Sequence, residues 1–106
     1  MTNKKKIQFI INPISGVGRH KLIEKYIDKK IDKTVFDYDI SYTKHPLHGT
    51  QIAGEAIKNN YEIIVAVGGD GSINEIAQKL IGSNTILGIL PTGSGNGLAH
   101  HLNIPV

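Results

Sequence analysis

The chain has 106 residues, close to the commonest size of a single domain, and its hydrophobic fraction of 40% is enough for a packed core. It contains no cysteine, which excludes a disulfide-built scaffold, and none of its apolar runs approaches the roughly 18 residues of a membrane span. The net charge is +3, and the basic cluster Lys4 to Lys6 has no interleaved aromatic residues, so we expect a solvated tail and no nucleic-acid partner. We expect a cytoplasmic protein.

The first half of the chain alternates strand and helix patterns. Ile7 to Ile11, with the sequence IQFII, is mostly apolar, which predicts a buried strand. Val35 to Tyr42 alternates apolar and polar residues, which predicts a strand with one wet face at an edge of the sheet. Between them, an apolar stripe predicts a helix, and it comprises Leu22, Ile23, Tyr26, Ile27 and Ile31.

The second half repeats the pattern. Pro46 favours a helix start nearby, with Ile52, Ala53, Ala56 and Ile57 as its apolar stripe. Ile63 to Val67 and Ile86 to Leu90 predict two further strands, both short and apolar. A helix is predicted between them, ending at Gly82, with the stripe Ile73, Ile76, Ala77, Leu80 and Ile81, and a short last helix carries Leu98, Ala99 and Leu102.

The repeated strand–helix pattern predicts an α/β fold with three layers, in which helices cover both faces of a parallel sheet of about four strands. The turns around Asn12 and Asp70 can form one site only if the first and third strands are neighbours. We therefore predict the strand order 2-1-3-4.

Three glycine-rich turns follow predicted strands: Asn12 to Gly18, Gly68 to Gly71 and Pro91 to Gly97. Strand ends of this kind meet at one edge of a parallel sheet, where backbone amides and helix N-termini bind phosphate. Glycine permits positive φ and close approach of the backbone to a ligand. The sequence lacks G-x-x-x-x-G-K-(S/T) and, after the first strand, G-x-G-x-x-G, so neither a P-loop nor a dinucleotide-binding turn is predicted. A nucleotide polyphosphate that brings Mg²⁺ fits these turns best.

Several residues have a structural and a functional interpretation. Ser72 and Glu75 have capping-box spacing, so Glu75 is either a capping carboxylate or part of a site. Asn12 caps the turn before Pro13 or contacts the ligand. His45 and His48 have no cysteine or carboxylate cluster beside them, so no protein-built metal site is predicted, and His48 is either a nucleotide contact or a surface residue.

Four segments carry a family resemblance. GGDGSINE, at Gly68 to Glu75, resembles the GGDG(T/S)xNE signature of the diacylglycerol kinase catalytic domain family. NPISG, at Asn12 to Gly16, resembles that family's first nucleotide loop, and TKHPLHG, at Thr43 to Gly49, resembles its T-x-x-x-G-(H/D)-A segment. PTGSGNGLA, at Pro91 to Ala99, resembles its P-x-G-(S/T)-x-N-x-x-A segment.

The resemblance implies ATP- and Mg²⁺-dependent phosphorylation of a lipid hydroxyl, diacylglycerol or a sphingoid type, at a membrane surface. It makes Asp70 the catalytic-site aspartate, acting as a base or as an organiser of phosphate and metal. It also implies a set of nucleotide-binding residues: Asn12, Pro13, Ser15, Gly16, Thr43, His48, Gly68, Gly69, Asp70, Gly71, Ser72, Asn74, Glu75, Ser94 and Asn96.

The chain also departs from the family pattern. Gly49 replaces the usual Ala, and Gly97-Leu98 resembles sphingosine kinases more than diacylglycerol kinases. Residues 1–106 correspond to the nucleotide-binding domain, and the family's second, β-rich domain is expected to lie outside them. We therefore expect these residues to be inactive alone and their open face to self-associate as a homodimer. The alternatives are an NAD kinase-like or other small-molecule kinase and a non-catalytic nucleotide-binding module.

Overall fold

The computed structural model describes residues 4–13 and 19–91. Strands and helices alternate as predicted, and the described elements are β1 (Lys5–Ile11), α1 (Arg19–Lys30), β2 (Phe36–Tyr42), α2 (His48–Lys58), β3 (Ile63–Gly68), α3 (Asp70–Leu80) and β4 (Ile86–Pro91). The predicted turn after Pro91 and the short helix around Leu98, Ala99 and Leu102 lie outside the described residues.

The four strands form one parallel sheet in the order β2-β1-β3-β4, which confirms the predicted order. In this register Ile11 is opposite Tyr42 on one side and Val67 on the other. We call the end of the sheet at Ile11, Tyr42, Gly68 and Pro91 the carboxyl edge, and the opposite end, at Lys5, Phe36, Ile63 and Ile86, the amino edge. The segments that follow β1, β2 and β3 therefore emerge together at the carboxyl edge.

Helices cover both faces of the sheet, as the three-layer prediction requires. On one face, Ile23 and Ile27 of α1 pack against the side chains of β1 and β3 that point to that side: Ile7, Phe9, Ile11, Ile63, Val65 and Val67. On the other face, α2 and α3 pack against Ile10, Ile64 and Ala66. Because β1 and β3 are covered from both sides, β3 is a continuous apolar run and the buried part of β1 is apolar except at Gln8.

The edge strand β2 has one face packed against the core and one face exposed to solvent, as predicted. Its aromatic and aliphatic residues pack against the α1-side core, and they are Phe36, Tyr38, Ile40 and Tyr42. Asp37 and Asp39 between them are exposed. Gln8 on β1 is the exception to the apolar rule, and its buried amide donates to the carbonyl of Phe9 at 3.0 Å and to Ser41 Oγ at 3.1 Å. These bonds compensate the desolvation of the amide.

Two residues of the predicted helix stripes are exposed. Leu22 is 61% exposed, because α1 turns Ile23 and Ile27 toward the sheet and leaves Leu22 at the margin of that contact. Ile81 is 80% exposed, because α3 ends at Leu80 and Ile81 already belongs to the following turn. None of the helices within residues 4–13 and 19–91 has the length and apolar character needed to cross a bilayer.

Candidate functional site

The residues that follow β1, β2 and β3 are joined by backbone hydrogen bonds at the carboxyl edge. The amide of Asn12 donates to the carbonyl of Val67 at 2.9 Å, and the amide of Thr43 donates to the carbonyl of Ile11 at 2.9 Å. The sheet ladder therefore continues one residue beyond the strand ends. It fixes Asn12 between Thr43 and Gly68, which are three of the residues predicted for the site.

A side-chain hydrogen bond connects the first predicted turn with the second. The amide Nδ2 of Asn12 donates to Ser72 Oγ at 2.5 Å. Gly68 lies between these residues, and a Cβ atom built on it would be 3.2 Å from the Cβ atoms of both Asn12 and Ser72. Such contacts are tighter than Cβ atoms normally make, so glycine lets Asn12 and Ser72 pack closely here without displacing either residue. The adjacency of β1 and β3 thus brings the two turns together, as the strand order predicted.

The capping box predicted at Ser72 and Glu75 is wrong. Helix α3 begins at Asp70, its N-cap is Gly69 in an extended conformation, and no side chain caps it. Ser72 lies in the first turn of the helix, where its hydroxyl accepts the bond from Asn12. Gly68, Gly69 and Gly71 do not use the positive φ that glycine permits, because among the described glycines only Gly82 has one.

Both helices that start at the described part of the carboxyl edge have N-termini without a side-chain cap. The N-cap of α2 is Leu47, with φ of 67° and ψ of 0°, and that of α3 is Gly69. An uncapped helix start exposes amide donors and the positive end of the helix dipole, both of which attract anions. Leu47 occupies the glycine position of the T-x-x-x-G-(H/D)-A pattern, which explains why that position has a left-handed backbone.

An open cleft of about 560 Å³ lies between these two helix starts. Its floor is apolar and consists of Ile10, Val67 and Ile76, which the sequence analysis assigned only to the core. One wall is the segment Thr43 to Pro46, and the other is the α3 face that carries Ser72 and Glu75. The volume falls within the range of about 300–1,000 Å³ that is typical of small-ligand sites.

The structure sorts the predicted site residues into three groups. Six of them line the cleft: Asn12, Pro13, Thr43, Gly71, Ser72 and Glu75. The second group does not line the cleft but lies close to it in the chain. Gly68 is buried beneath the cleft, and Gly69 and Asp70 form the start of α3. The side chains of Asp70 and Asn74 are exposed, and His48 lies in the first turn of α2. The third group, Ser15, Gly16, Ser94 and Asn96, lies outside the described residues.

Two histidines support the wall formed by Thr43 to Pro46. The amide of Lys44 donates to His48 Nδ1 at 2.9 Å, and the ring of His48 stacks on that of His45 at a centroid distance of 4.5 Å. His48 therefore orders the wall, whereas His45 lines the cleft. Within residues 4–13 and 19–91, no group of three or more histidine and acidic side chains could hold a metal ion.

Gly49 also lines the cleft and has a packing role. A Cβ atom at this position would be 3.3 Å from Ile76 Cγ1 and 3.4 Å from Ile76 Cδ1. Glycine in place of the alanine usual in the family pattern therefore lets α2 and α3 approach each other over the cleft floor. Spacing alone could not indicate this contact, because it depends on how the two helices are placed.

A comparison with protein-family models matches residues 6–106 to the diacylglycerol kinase catalytic domain. The chain belongs to this family. The family signature at Gly68 to Glu75 is the segment that forms the end of β3, the start of α3 and one wall of the cleft. The cleft thus lies within the matched span, beside the segment that resembles the family signature.

Several proteins with similar sequences or structures are named diacylglycerol kinases. The chain is 31% identical over 103 residues to a diacylglycerol kinase of Bacillus subtilis and 29% identical over 104 residues to one of Staphylococcus saprophyticus. It covers 34% of the length of each, while 95% and 96% of this chain are matched. The crystal structure of a diacylglycerol kinase from Bacillus anthracis is similar, with a TM-score of 0.66, 27% identity, and coverage of 91% of this chain and 36% of that one. The chain thus spans about a third of the length of the relatives it matches.

Proposed function

We propose that this chain supplies the nucleotide-binding part of an ATP-dependent lipid kinase, which transfers the γ-phosphate of ATP to a lipid hydroxyl. The observation that carries the proposal is the combination, in one cleft, of the family signature, an uncapped helix start and an apolar floor. The helix start suits phosphate, and the cleft, with the buried Ile10, Val67 and Ile76 beneath it, has room for an adenine ring.

The polar end of the cleft determines how we orient the nucleotide in the proposed site. Asn12 and Ser72 are joined beside the first turn of α3, and Gly71 in that turn has no atom within 4 Å of the place where a Cβ would lie. A phosphate group can therefore approach the backbone at Gly71 without meeting a side chain. Lys44 is exposed on the opposite wall and supplies a cation on that side. We place the phosphates at this end and the base over the apolar floor.

Mg²⁺ fits this arrangement as an ion brought with ATP. The described acidic groups nearest the phosphate end are Asp70 at the start of α3 and Glu75 one turn further along. Mg²⁺ in kinases is commonly held by one or two carboxylates together with substrate phosphates and water. When bound, it would neutralise charge on the transferring group.

Asp70 is the proposed catalytic residue. Its carboxylate lies in the first turn of α3 and is exposed, so it can face a second substrate that approaches the phosphate end from solvent. Phosphoryl transfer depends mainly on positioning and on charge stabilisation, and less on removal of the proton before transfer. We therefore assign Asp70 the task of orienting the acceptor hydroxyl toward the γ-phosphate. A tightly buried base is not required for this role.

The lipid is proposed only as a class. Diacylglycerol and sphingoid-type acceptors both offer a primary hydroxyl, and the relatives named above are diacylglycerol kinases. We propose that the acceptor site lies mostly in a β-rich domain outside these residues, since the chain covers about a third of its relatives' length. Phosphorylation is therefore expected to need more than this chain.

Two measurements test the function. Calorimetric titration of the chain with ATP, with and without Mg²⁺, should show weak binding that Mg²⁺ strengthens. Radiolabelled ATP should then be supplied with diacylglycerol, sphingosine or ceramide in mixed micelles, using a longer protein that contains this chain. Absence of nucleotide binding would contradict the proposal, while binding without lipid phosphorylation by the longer protein would favour a non-catalytic module. NAD phosphorylation would favour an NAD kinase-like enzyme.

A further inference from the structure

Leu22 and Leu47 are large apolar residues that stand exposed beside helix starts. Leu22, in the first turn of α1, is 61% exposed, and Leu47, directly before α2, is 62% exposed. Leu47 also has a left-handed backbone, with φ of 67°, in which leucine is disfavoured. Neither the backbone nor the packing of the described residues rewards an apolar side chain at this position. Leu47 gains free energy only when something outside the described residues covers it.

The course of α1 brings Leu22 to the same edge of the sheet as Leu47. Just after α1, the amide of Val35 donates to the carbonyl of Asp32 at 3.0 Å, and the amide of Lys5 donates to the carbonyl of Val35 at 3.0 Å. Lys5 is at the amino edge, so α1 ends at the amino edge and begins toward the carboxyl edge. Helix side chains tilt toward the helix N-terminus, so Leu22 leans toward the carboxyl edge.

The outer face of α1 carries lysines without acidic partners. Lys21 and Lys25 are exposed, lie one helical turn apart, and have no ion pair among the described residues. The carboxylate of Asp28 is already engaged, because it pairs with Lys33 at 2.7 Å. Residues 19–33 contain six basic and three acidic residues, so their net charge of +3 equals that of the whole chain. The exposed leucines are therefore accompanied by uncompensated positive charge.

We propose that Leu22 and Leu47 insert into an anionic lipid bilayer while Lys21 and Lys25 contact its headgroups. We call these four residues the docking surface. Exposed leucines gain free energy when they leave water, and lysines are attracted to an anionic membrane surface. The inference rests on the proposed function, in which the acceptor hydroxyl belongs to a lipid. Docking here brings the bilayer to the end of the sheet at which Asp70 and the phosphates are placed.

The amino edge is the competing surface, because it also exposes aliphatic residues, among them Ile81 at 80% and Ile86 at 57%. A bilayer at that edge would lie one strand length from the cleft. Strand β3 has six residues, so this length is about 20 Å. A lipid hydroxyl would cover that distance only if the lipid left the bilayer. Docking at the carboxyl edge requires no such extraction.

Sedimentation with lipid vesicles tests the docking surface. The chain and its variants are mixed with vesicles of phosphatidylcholine, with or without phosphatidylglycerol. Leu47→Asn keeps a residue that tolerates the left-handed backbone, and Leu22→Gln keeps a helix former. Each should bind the anionic vesicles about tenfold more weakly than the wild type. Lys25→Gln should bind them about fivefold more weakly and with less dependence on salt. Ile81→Gln and Lys58→Gln, at the amino edge, are the matched controls and should bind as the wild type does.

The outcomes separate the docking surface from the function on which it rests. Absence of vesicle binding by a wild-type chain that binds ATP would overturn the docking surface and leave the nucleotide function intact. Vesicle binding that depends on both leucines, in a chain that binds no ATP, would support the docking surface and contradict the nucleotide function. Vesicle binding weakened by Ile81→Gln and unchanged in both leucine variants would overturn the assignment to the carboxyl edge.

Two other partners are distinguished by further measurements. Sedimentation equilibrium that detects a dimer in the wild type but not in Leu47→Asn, with equal vesicle binding by both, would assign the leucine to a contact between copies of the chain. Binding of RNA that is weakened by Lys25→Gln, without vesicle binding, would assign the lysines to nucleic acid. Either result would overturn the proposal. Thermal unfolding of each variant verifies that the fold is retained.

Discussion

The carboxyl and amino edges of the sheet differ in how their helix ends are closed. At the amino edge, Asn60 and Gly82 have φ of 62° and 85°, and the hydroxyl of Ser83 donates to the carbonyl of Leu80 at 2.7 Å. At the carboxyl edge, the left-handed position is occupied by Leu47, and neither α2 nor α3 has a side-chain cap. Asparagine and glycine adopt positive φ readily, whereas leucine does so at a cost.

The difference indicates that the amino edge contributes to stability and the carboxyl edge forms the candidate site. The amino edge closes its backbone groups internally, which is the arrangement that favours stability. The carboxyl edge leaves amide donors, a strained leucine and an unpaired carboxylate around one cleft, and strain of this kind is often found at functional sites. Substitutions at the carboxyl edge where β3 meets α3 should therefore change binding or catalysis, and those at the amino edge should change stability alone.

The largest effect is expected for Asp70→Asn. In a lipid-phosphorylating protein that contains this chain, we expect kcat to fall about 100-fold or more, because the amide cannot orient the hydroxyl as the carboxylate does. The affinity for ATP should change little. Steady-state kinetics measures both, with Asp37→Asn as the control, since Asp37 is exposed on β2 and makes only a surface ion pair with Lys4 at 3.8 Å. Near-normal turnover would leave Asp70 as a residue of the helix start only.

Gly68→Ala should affect both stability and binding. The new Cβ would press on the Cβ atoms of Asn12 and Ser72, which are close to the backbone and cannot swing away. We expect a loss of about 1–3 kcal/mol in the free energy of unfolding, the usual result of overpacking. Nucleotide affinity should fall as well, because the bond between Asn12 and Ser72 would be displaced. Denaturant unfolding and calorimetry measure the two effects, and an unchanged unfolding midpoint would contradict the packing argument.

Gly71→Ala is the matched test for Gly68→Ala, because it should change nucleotide affinity without destabilising the fold. No atom lies within 4 Å of a Cβ at this position, which is in the first turn of α3, so the fold should be unchanged or stabilised by about 0.5–1 kcal/mol. The methyl group would occupy the path of phosphate to the backbone, so we expect an affinity for ATP about tenfold weaker. A variant that is more stable and still binds ATP normally would mean that phosphate does not approach the backbone here.

The layers could be predicted from the sequence because β3 is an unbroken apolar run, β1 is apolar except at Gln8, and β2 alternates. The strand order could be predicted because the turns at Asn12 and Asp70 can form one site only if their strands are neighbours. The same order brought the turns at Asn12 and Gly68 together, so six of the residues that line the cleft could also be predicted. The start of α3 could not, because Ser72 has the spacing of a cap and only the contact with Asn12 shows that its hydroxyl is already used. The floor at Ile10, Val67 and Ile76 was missed, since an apolar residue at the end of a strand looks like core.

Leu47→Gly should stabilise the protein while leaving its binding site formed. Leu47 is 62% exposed, so its removal loses little buried area, and glycine relieves the left-handed backbone. The gain from relief of the strain, about 1–2 kcal/mol, is offset in part by the greater freedom of glycine in the unfolded chain. We expect a net gain of about 0.5–1 kcal/mol in denaturant unfolding. Asn60→Gly at the amino edge should have a smaller effect on the free energy of unfolding. A larger gain for Asn60→Gly than for Leu47→Gly would show that the amino edge is the more strained of the two.

The smallest expected effect is a pH dependence at the amino edge. Tyr61 donates a hydrogen bond to the carboxylate of Asp39, and this bond, together with partial burial, raises the pKa of Tyr61 from 10.0 to about 12. The folded protein therefore keeps the proton that the unfolded chain releases above pH 10. The stabilisation is fully present below pH 10 and should be lost as the pH rises toward 12.

Tyr61→Phe tests this effect against the rest of the molecule. The difference in unfolding free energy between the wild type and the variant should be constant at neutral pH and shrink between about pH 10 and 12, with a small amplitude because Tyr61 is only half-buried. Affinity for ATP at neutral pH should be the same in both proteins, because Tyr61 does not line the cleft. Denaturant unfolding across the pH range and calorimetry supply the two measurements. A weaker affinity for ATP in Tyr61→Phe would show that the amino edge is coupled to the cleft. It would contradict the claim that substitutions at the amino edge change stability alone.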